Sequence, residues 1–165
     1  MTQTARLGAT YLQAAQLQKE ATVNENFSVF DLAVCAAVDG FLVDTAPANP
    51  SIGNSYVLGG SPSGAWAGHA LALAGHTSGG WRFIAPFDGL TVLDKASGQF
   101  ATFSGGTWEK GNVRAAKVSI GGNQVVGGRL AAVADPAGGG VIDAEARSAI
   151  AAVLSRMRQH GLINS

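Results

Sequence analysis

Between Ser55 and Lys110 the chain is cut into short apolar stretches, SYVL, HALALAG, GWRFIA, GLTVLDK, QFATFS and TWEK, punctuated by Gly, Ser or Asp. Stretches this short cannot sustain helices, but they are the usual length of strands bounded by turn residues. This part of the chain therefore predicts a small antiparallel β domain. Alternation is visible only in part, at Leu71 and Leu73 and at Phe100 and Phe103, so strand register stays open. LALAGHTSGGWRF and FATFSGGTWEK echo each other: apolar strand, Ser-Gly-Gly, Trp, then a charged residue. Two hairpins built alike account for the echo.

The flanks read differently. Residues 1–43 form an N-terminal helical segment in this reading. Thr22-Val23-Asn24-Glu25 has capping-box spacing, with a hydroxyl at the cap and a carboxylate three residues on. The stretch that follows puts Phe27, Phe30, Val34 and Val38 on one face, and Gly40 is a plausible stop. YLQAAQLQKE before it reads as a shorter helical piece. The β domain is expected over 44–111, beginning in the Pro-rich loop DTAPANPSIGNS. Residues 112–142 hold two Gly-Gly pairs and a Gly triplet, which predicts an extended arm. The region 143–165 is the clearest helix, with Asp143 at its cap, Gly161 at its end, and Arg156, Arg158 and His160 where the helix dipole favours cations. Ala146, Ile150, Val153 and Met157 fall at spacings 4, 3 and 4, a seam two heptads long. That seam either packs on the helix's own domain or meets other copies of the chain. The fold class expected is α+β.

Composition bears on partners. At 165 residues the chain is long enough to bury ~70% of its unfolded surface without disulfides or metal. Lys+Arg and Asp+Glu are 11 each, so no basic excess exists to displace counterions from a nucleic acid. Only 13% of residues are charged, against ~25% in an ordinary domain. A surface so poor in charge suits one covered by further copies or neighbours. The single cysteine, Cys35, sits in LAVCAAV and reads as a small core residue. The first residues carry no continuous apolar run of the signal-peptide kind, and no run has membrane-span length. Synthesis and folding in a cytoplasm are the expectation.

The chain offers no recognisable catalytic constellation. His69 and His76 have no acid or cysteine at metal-ligand spacing, so no metal is expected. There is no G-x-S-x-G elbow, and GGNQVVGG lacks the features of a phosphate or dinucleotide loop. No cofactor is expected, and the chain reads as a non-enzyme. Trp66, Trp81 and Trp108 are the side chains with binding potential, since an exposed indole stacks on a sugar ring. The alternative is that each closes a small β core beside a tight turn.

Three stretches, in order, resemble a known group. Tyr11, Leu12, Ala14, Gln16, Gln18, Lys19, Glu20, Thr22, Asn24, Glu25, Asp31 and Val34 fit the opening pattern of phage and gene-transfer-agent virion proteins. PSIGNSYVL, GAWAGH and GGWRFIAPFDG follow as they do in that group. The stretch from VVGGR through the last helix is similar to the element that closes such proteins. The group includes tail-fibre and head-spike components and has no catalytic residues to carry over. The resemblance implies a homotrimeric structural protein of the virion, made in a bacterial cytoplasm, that contacts other capsid or tail proteins. Many relatives carry a further distal region before the closing helix, and this chain has almost nothing there. It is therefore expected to act as the base or adaptor of a spike or fibre used in host attachment. The alternative is an adhesin module that binds host surface polysaccharide directly.

Overall fold

Strands form where Gly and Ser break the central stretch, and two of their turns show why those residues are there. The computed structural model describes residues 3–4, 7, 9–34, 36–141, 143–159 and 162–163. It is an α+β protein that divides into two compact units, Met1–Asn112 and Val113–Ser165.

The first unit starts with α1 (Lys19–Val34), followed by β1 (Ala37–Val38), β2 (Gly40–Val43) and β3 (Ser55–Leu58). A single 3-10 turn at Gly64–Trp66 precedes β4 (Leu73–Thr77), β5 (Gly80–Ile84), β6 (Thr91–Asp94), β7 (Gln99–Ser104) and β8 (Thr107–Lys110). These strands make two sheets, ordered β1-β6-β7-β8 and β2-β3-β4-β5. The two sheets share a plan. In each, the first strand runs parallel to the second, and the rest is an antiparallel meander. The echoed stretches, Ser-Gly-Gly-Trp at 78–81 and Ser-Gly-Gly-Thr-Trp at 104–108, lie in the last hairpin of each sheet, but the two turns differ. Between β7 and β8, Gly105 and Gly106 both have positive φ (60° and 84°), as a two-residue type I′ turn requires. Between β4 and β5, Ser78 and Gly79 make the turn, and Gly80 at φ 93° takes the left-handed position after it.

A core of Val38, Val57, Leu73, Ile84, Leu90, Val92, Ala101, Phe103 and Trp108 is built from both sheets. The helix joins it through Val29, Leu32 and Ala33. Here the expected helix face is wrong: Phe27, Phe30 and Val34 are exposed, and Val38 lies in β1, fully buried. The sheet selects the other face. A Cβ at Gly75 on β4 would lie 2.8 Å from Leu32 Cδ1, so this glycine leaves the hollow into which Leu32 fits. A phenylalanine is too large for that approach.

The helix also begins earlier than its expected cap. Residues 11–18 are not helical, and Ala15 and Gln18 have left-handed φ of 58° and 53°. Thr22 lies within α1, where its hydroxyl accepts a hydrogen bond from Gln16 Nε2 at 2.7 Å. Gln16 Oε1 also accepts from the Gln13 N–H at 2.9 Å. Asn26 clamps Thr10, accepting from its N–H and donating to its C=O, both at 2.9 Å. The polar residues of the opening thus pin an irregular lead-in to the helix. The stretch after the helix is strand, because Ala37–Val38 and Gly40–Val43 supply the parallel strand of each sheet. Cys35 lies outside the described residues.

The second unit holds the hairpin β9 (Val118–Ile120) and β10 (Asn123–Val126), within what reads from sequence as a continuous arm, and α2 (Ala144–Gln159). Asp143 caps α2 by accepting the Ala146 N–H at 2.8 Å. Leu130 bridges Ile163 in parallel, and Leu154 and Ile163 are buried. The expected end of the helix at His160 and Gly161 lies outside the described residues.

Candidate binding surface

On the face of β3, β4 and β5 away from the shared core lies a second apolar cluster. Leu58, Trp66, Ala72 and Ala74 are its buried members, flanked by Val43, Ala46, Tyr56, Trp81 and Phe83. Alternation puts them there: Val57 and Leu73 point to one face, and Tyr56, Leu58, Ala72 and Ala74 to the other. The loop after β3 folds back over this cluster because Asp44 holds it. The Asp44 carboxylate accepts the Ser61 N–H at 3.0 Å, and its carbonyl accepts the Ser63 N–H at 2.8 Å. Gly59 makes this possible, since a Cβ there would overlap the Asp44 carboxylate. The tether delivers the Gly64–Trp66 turn, and with it the Trp66 ring, onto the sheet.

The three tryptophans therefore differ in position. Trp66 is fully buried. Its ring meets Trp81 edge-on at 5.0 Å and Tyr56 at 5.3 Å. Its Nε1 is enclosed and has no hydrogen-bond partner among the described residues. Trp108 is 7% exposed and packs edge-on against Phe103 (5.5 Å) and Phe41 (6.2 Å). Its Nε1 donates to the Leu71 carbonyl at 2.8 Å. Neither ring has a face open to a sugar, so the stacking role considered for Trp66 and Trp108 does not fit where they sit. Trp81 is half-buried, with His76 tilted against it at 4.9 Å and Tyr56 at 5.9 Å. Beside it on the same strand, Phe83 is stacked flat on His69 at 3.7 Å. Of the three, Trp81 alone is not buried.

A cleft of about 160 Å³ lies near α1, lined among others by Asp31, Asn54, His76, Thr77 and Lys95. Asp39 organises its surroundings, accepting from Lys95 Nζ at 2.8 Å, the Ser55 N–H at 3.0 Å and Asn54 Nδ2 at 3.1 Å. Burial works against the Asp39 charge, yet the bonds from Lys95, Ser55 and Asn54 outweigh it and hold the carboxyl below its ordinary range. Burial, then the Asp39 charge, pushes the Tyr56 hydroxyl up. Asp94 is buried at the end of β6. Bonds from Ser97 at 2.7 Å, Lys110 at 2.9 Å and the Ala96 N–H at 3.1 Å bring its pKa down to about 2. These carboxylates are spent on loops and strand ends; Ala96 and Ser97 reach Asp94 from two and three residues on, whereas Lys110 and all three Asp39 partners come from distant parts of the chain. Among the described residues no group of three or more His, Cys, Asp or Glu is placed to hold a metal, and no helix is long and apolar enough to cross a membrane.

In the second unit, Ala146, Ile150 and Val153 of the α2 seam are exposed and Met157 is half-buried. The buried residue of that helix is Leu154, adjacent to the seam.

The fold and this surface define a class: a two-sheet α+β domain with Trp66, Phe103 and Trp108 buried in it, joined to a second unit in which few of the described apolar residues are buried. Residues 23–109 match the model of a family described as "Protein of unknown function (DUF2793)". That match takes in more than half of the chain, and the chain belongs to this family. The matched segment runs from within α1 to β8, so the family segment lies within the first unit. No curated protein and no solved structure matches the chain.

Proposed function

We propose that this chain is a structural protein of a phage or gene-transfer-agent particle, the base or adaptor of a spike or fibre, and that it works as a homotrimer. The observation that carries the reading is the inward packing of Trp66 and Trp108. Both rings are interior, Asp44 fastens the loop that carries Trp66, the Trp108 indole is bonded to the Leu71 carbonyl, and both serve as scaffold. Large apolar side chains instead lie outside, along α1, α2 and the β9–β10 hairpin. An assembly part has that kind of surface. Repeated weak contacts across copies would supply attachment strength without chemistry. The test is genetic: particles from a host lacking this chain should lose an appendage and adsorb less, with DNA packaging intact. Particles of unchanged appearance and adsorption would refute the role.

That Trp81, unlike Trp66 and Trp108, is not fully enclosed favours a second reading, direct contact with host surface polysaccharide. A Trp81→Ala protein that folds and assembles but no longer adsorbs would promote it. A glycan titration with no response would remove it.

A further inference from the structure

The second unit buries little of the apolar surface of its described residues. Among its described residues two large apolar side chains, Leu154 and Ile163, are buried, whereas eleven are exposed. In the hairpin every described residue of both strands is exposed, including Val118, Ile120, Val125 and Val126. An isolated two-stranded hairpin is marginal in water and needs a further strand or a packed face to persist. Among the described residues its sheet contains only β9 and β10, so neither outer edge has a strand neighbour there. On α2, Ile150 and Val153 are 49% and 58% exposed along a seam of coiled-coil spacing.

The size of this surface bears on what covers it. The exposed parts of the eleven side chains amount to roughly 600 Å² of apolar area, taking each Val, Leu or Ile at the area implied by its burial energy. A standard interface takes about 800 Å² from each partner, about 60% of it apolar, or roughly 500 Å². Roughly half of that area lies on the hairpin and α2 (Val118, Ile120, Val125, Val126, Ile150 and Val153) and the rest on the segments that join or flank them, so it is the unit as a whole that presents apolar area of the order an interface takes. The hairpin strands VSI and NQVV carry no charge, so they can pair with themselves without stranding an ion. The α2 seam is apolar in the way a self-matching seam requires.

We infer that Val113–Ser165 is a self-association unit that completes its fold against the same unit of other copies, using the β9–β10 hairpin as well as α2. The inference deepens the proposed assembly role and rests on it for the choice of a second copy as the occupant. Its test uses the purified full chain and no particles, so it can fail while the virion role stands, or hold while that role falls.

The experiment combines light scattering with amide hydrogen exchange over about a hundredfold dilution, because the stability of an obligate oligomer depends on protomer concentration. The chain should scatter as three copies when concentrated. On dilution the mass should fall, and amides of 118–126 and 144–159 should exchange at least about tenfold faster, while those of β3 to β8 keep their protection. A double variant, Ile120→Asp with Val125→Asp, should be monomeric with an unprotected second unit at every concentration. Phe100→Asp, at an exposed site of the first unit, should behave as the parent. Either a parent monomeric throughout or a double variant with the parent's mass and protection would overturn the inference.

Discussion

Trp66 and Trp108 allow the role of one hydrogen bond to be measured against a matched control. Both rings are interior, but Trp108 Nε1 is bonded to the Leu71 carbonyl and Trp66 Nε1 has no partner among the described residues. Replacing either by Phe removes a similar volume of indole, so the packing losses should be comparable. At Trp108 the change also strands the Leu71 carbonyl beside the shared core, which costs about 1–3 kcal/mol. Leu71 has little freedom to turn away, because its left-handed φ of 60° is fixed by its N–H bond to the Gly59 carbonyl at 2.9 Å. At Trp66 the change removes an unsatisfied buried donor, which offsets part of the packing loss. Urea denaturation followed by far-UV circular dichroism should therefore rank Trp108→Phe as the more destabilised, by about 1–3 kcal/mol. Equal losses, or a larger loss at Trp66, would refute this account of the two indoles.

Three further outcomes follow from the first unit. Gly75→Val should destabilise by about 1–3 kcal/mol, since its side chain displaces Leu32 and lifts α1, and a companion Leu32→Ala should recover part of that loss in a melting comparison. Thr22→Ala should cost about 1 kcal/mol through the Gln16 bond, and a Gln16→Ala, Thr22→Ala cycle should be strongly non-additive, whereas a helix cap at Thr22 predicts additive losses. Asp94 has its folded pKa depressed to about 2, so its contribution is complete above the ordinary carboxylate pKa of about 4 and is lost progressively as pH falls from about 4 through about 2; Asp94→Asn should flatten the acid limb of a stability–pH curve over that interval.

Legibility from sequence followed the reach of the interactions. The strands from β3 to β8 could be read because Gly, Ser and Asp mark their ends locally, and Asp143 could be read as a cap because it bonds three residues ahead. The N-terminal region could not. LAVCAAVDG is an apolar run compatible with either helix or strand, and only pairing with β6 and β3 makes its latter part strand. Phe27 and Phe30 outrank Leu32 in size, yet a glycine 43 positions on from Leu32 decides which face is buried. The candidate surface was obscured for the same reason. PSGAWAGH looks like an open loop until Asp44, twenty-two residues before Trp66, ties it down and buries the ring.

The central claim is that this protein is a structural part of a particle, present in repeated copies. Electron cryo-microscopy of purified particles, with mass spectrometry of the same preparation, tests it most directly. The account predicts that the chain is found in the particle, with three copies of the two-sheet unit around one axis at the base of an appendage. Particles that carry their appendages but contain no trace of this chain would contradict it.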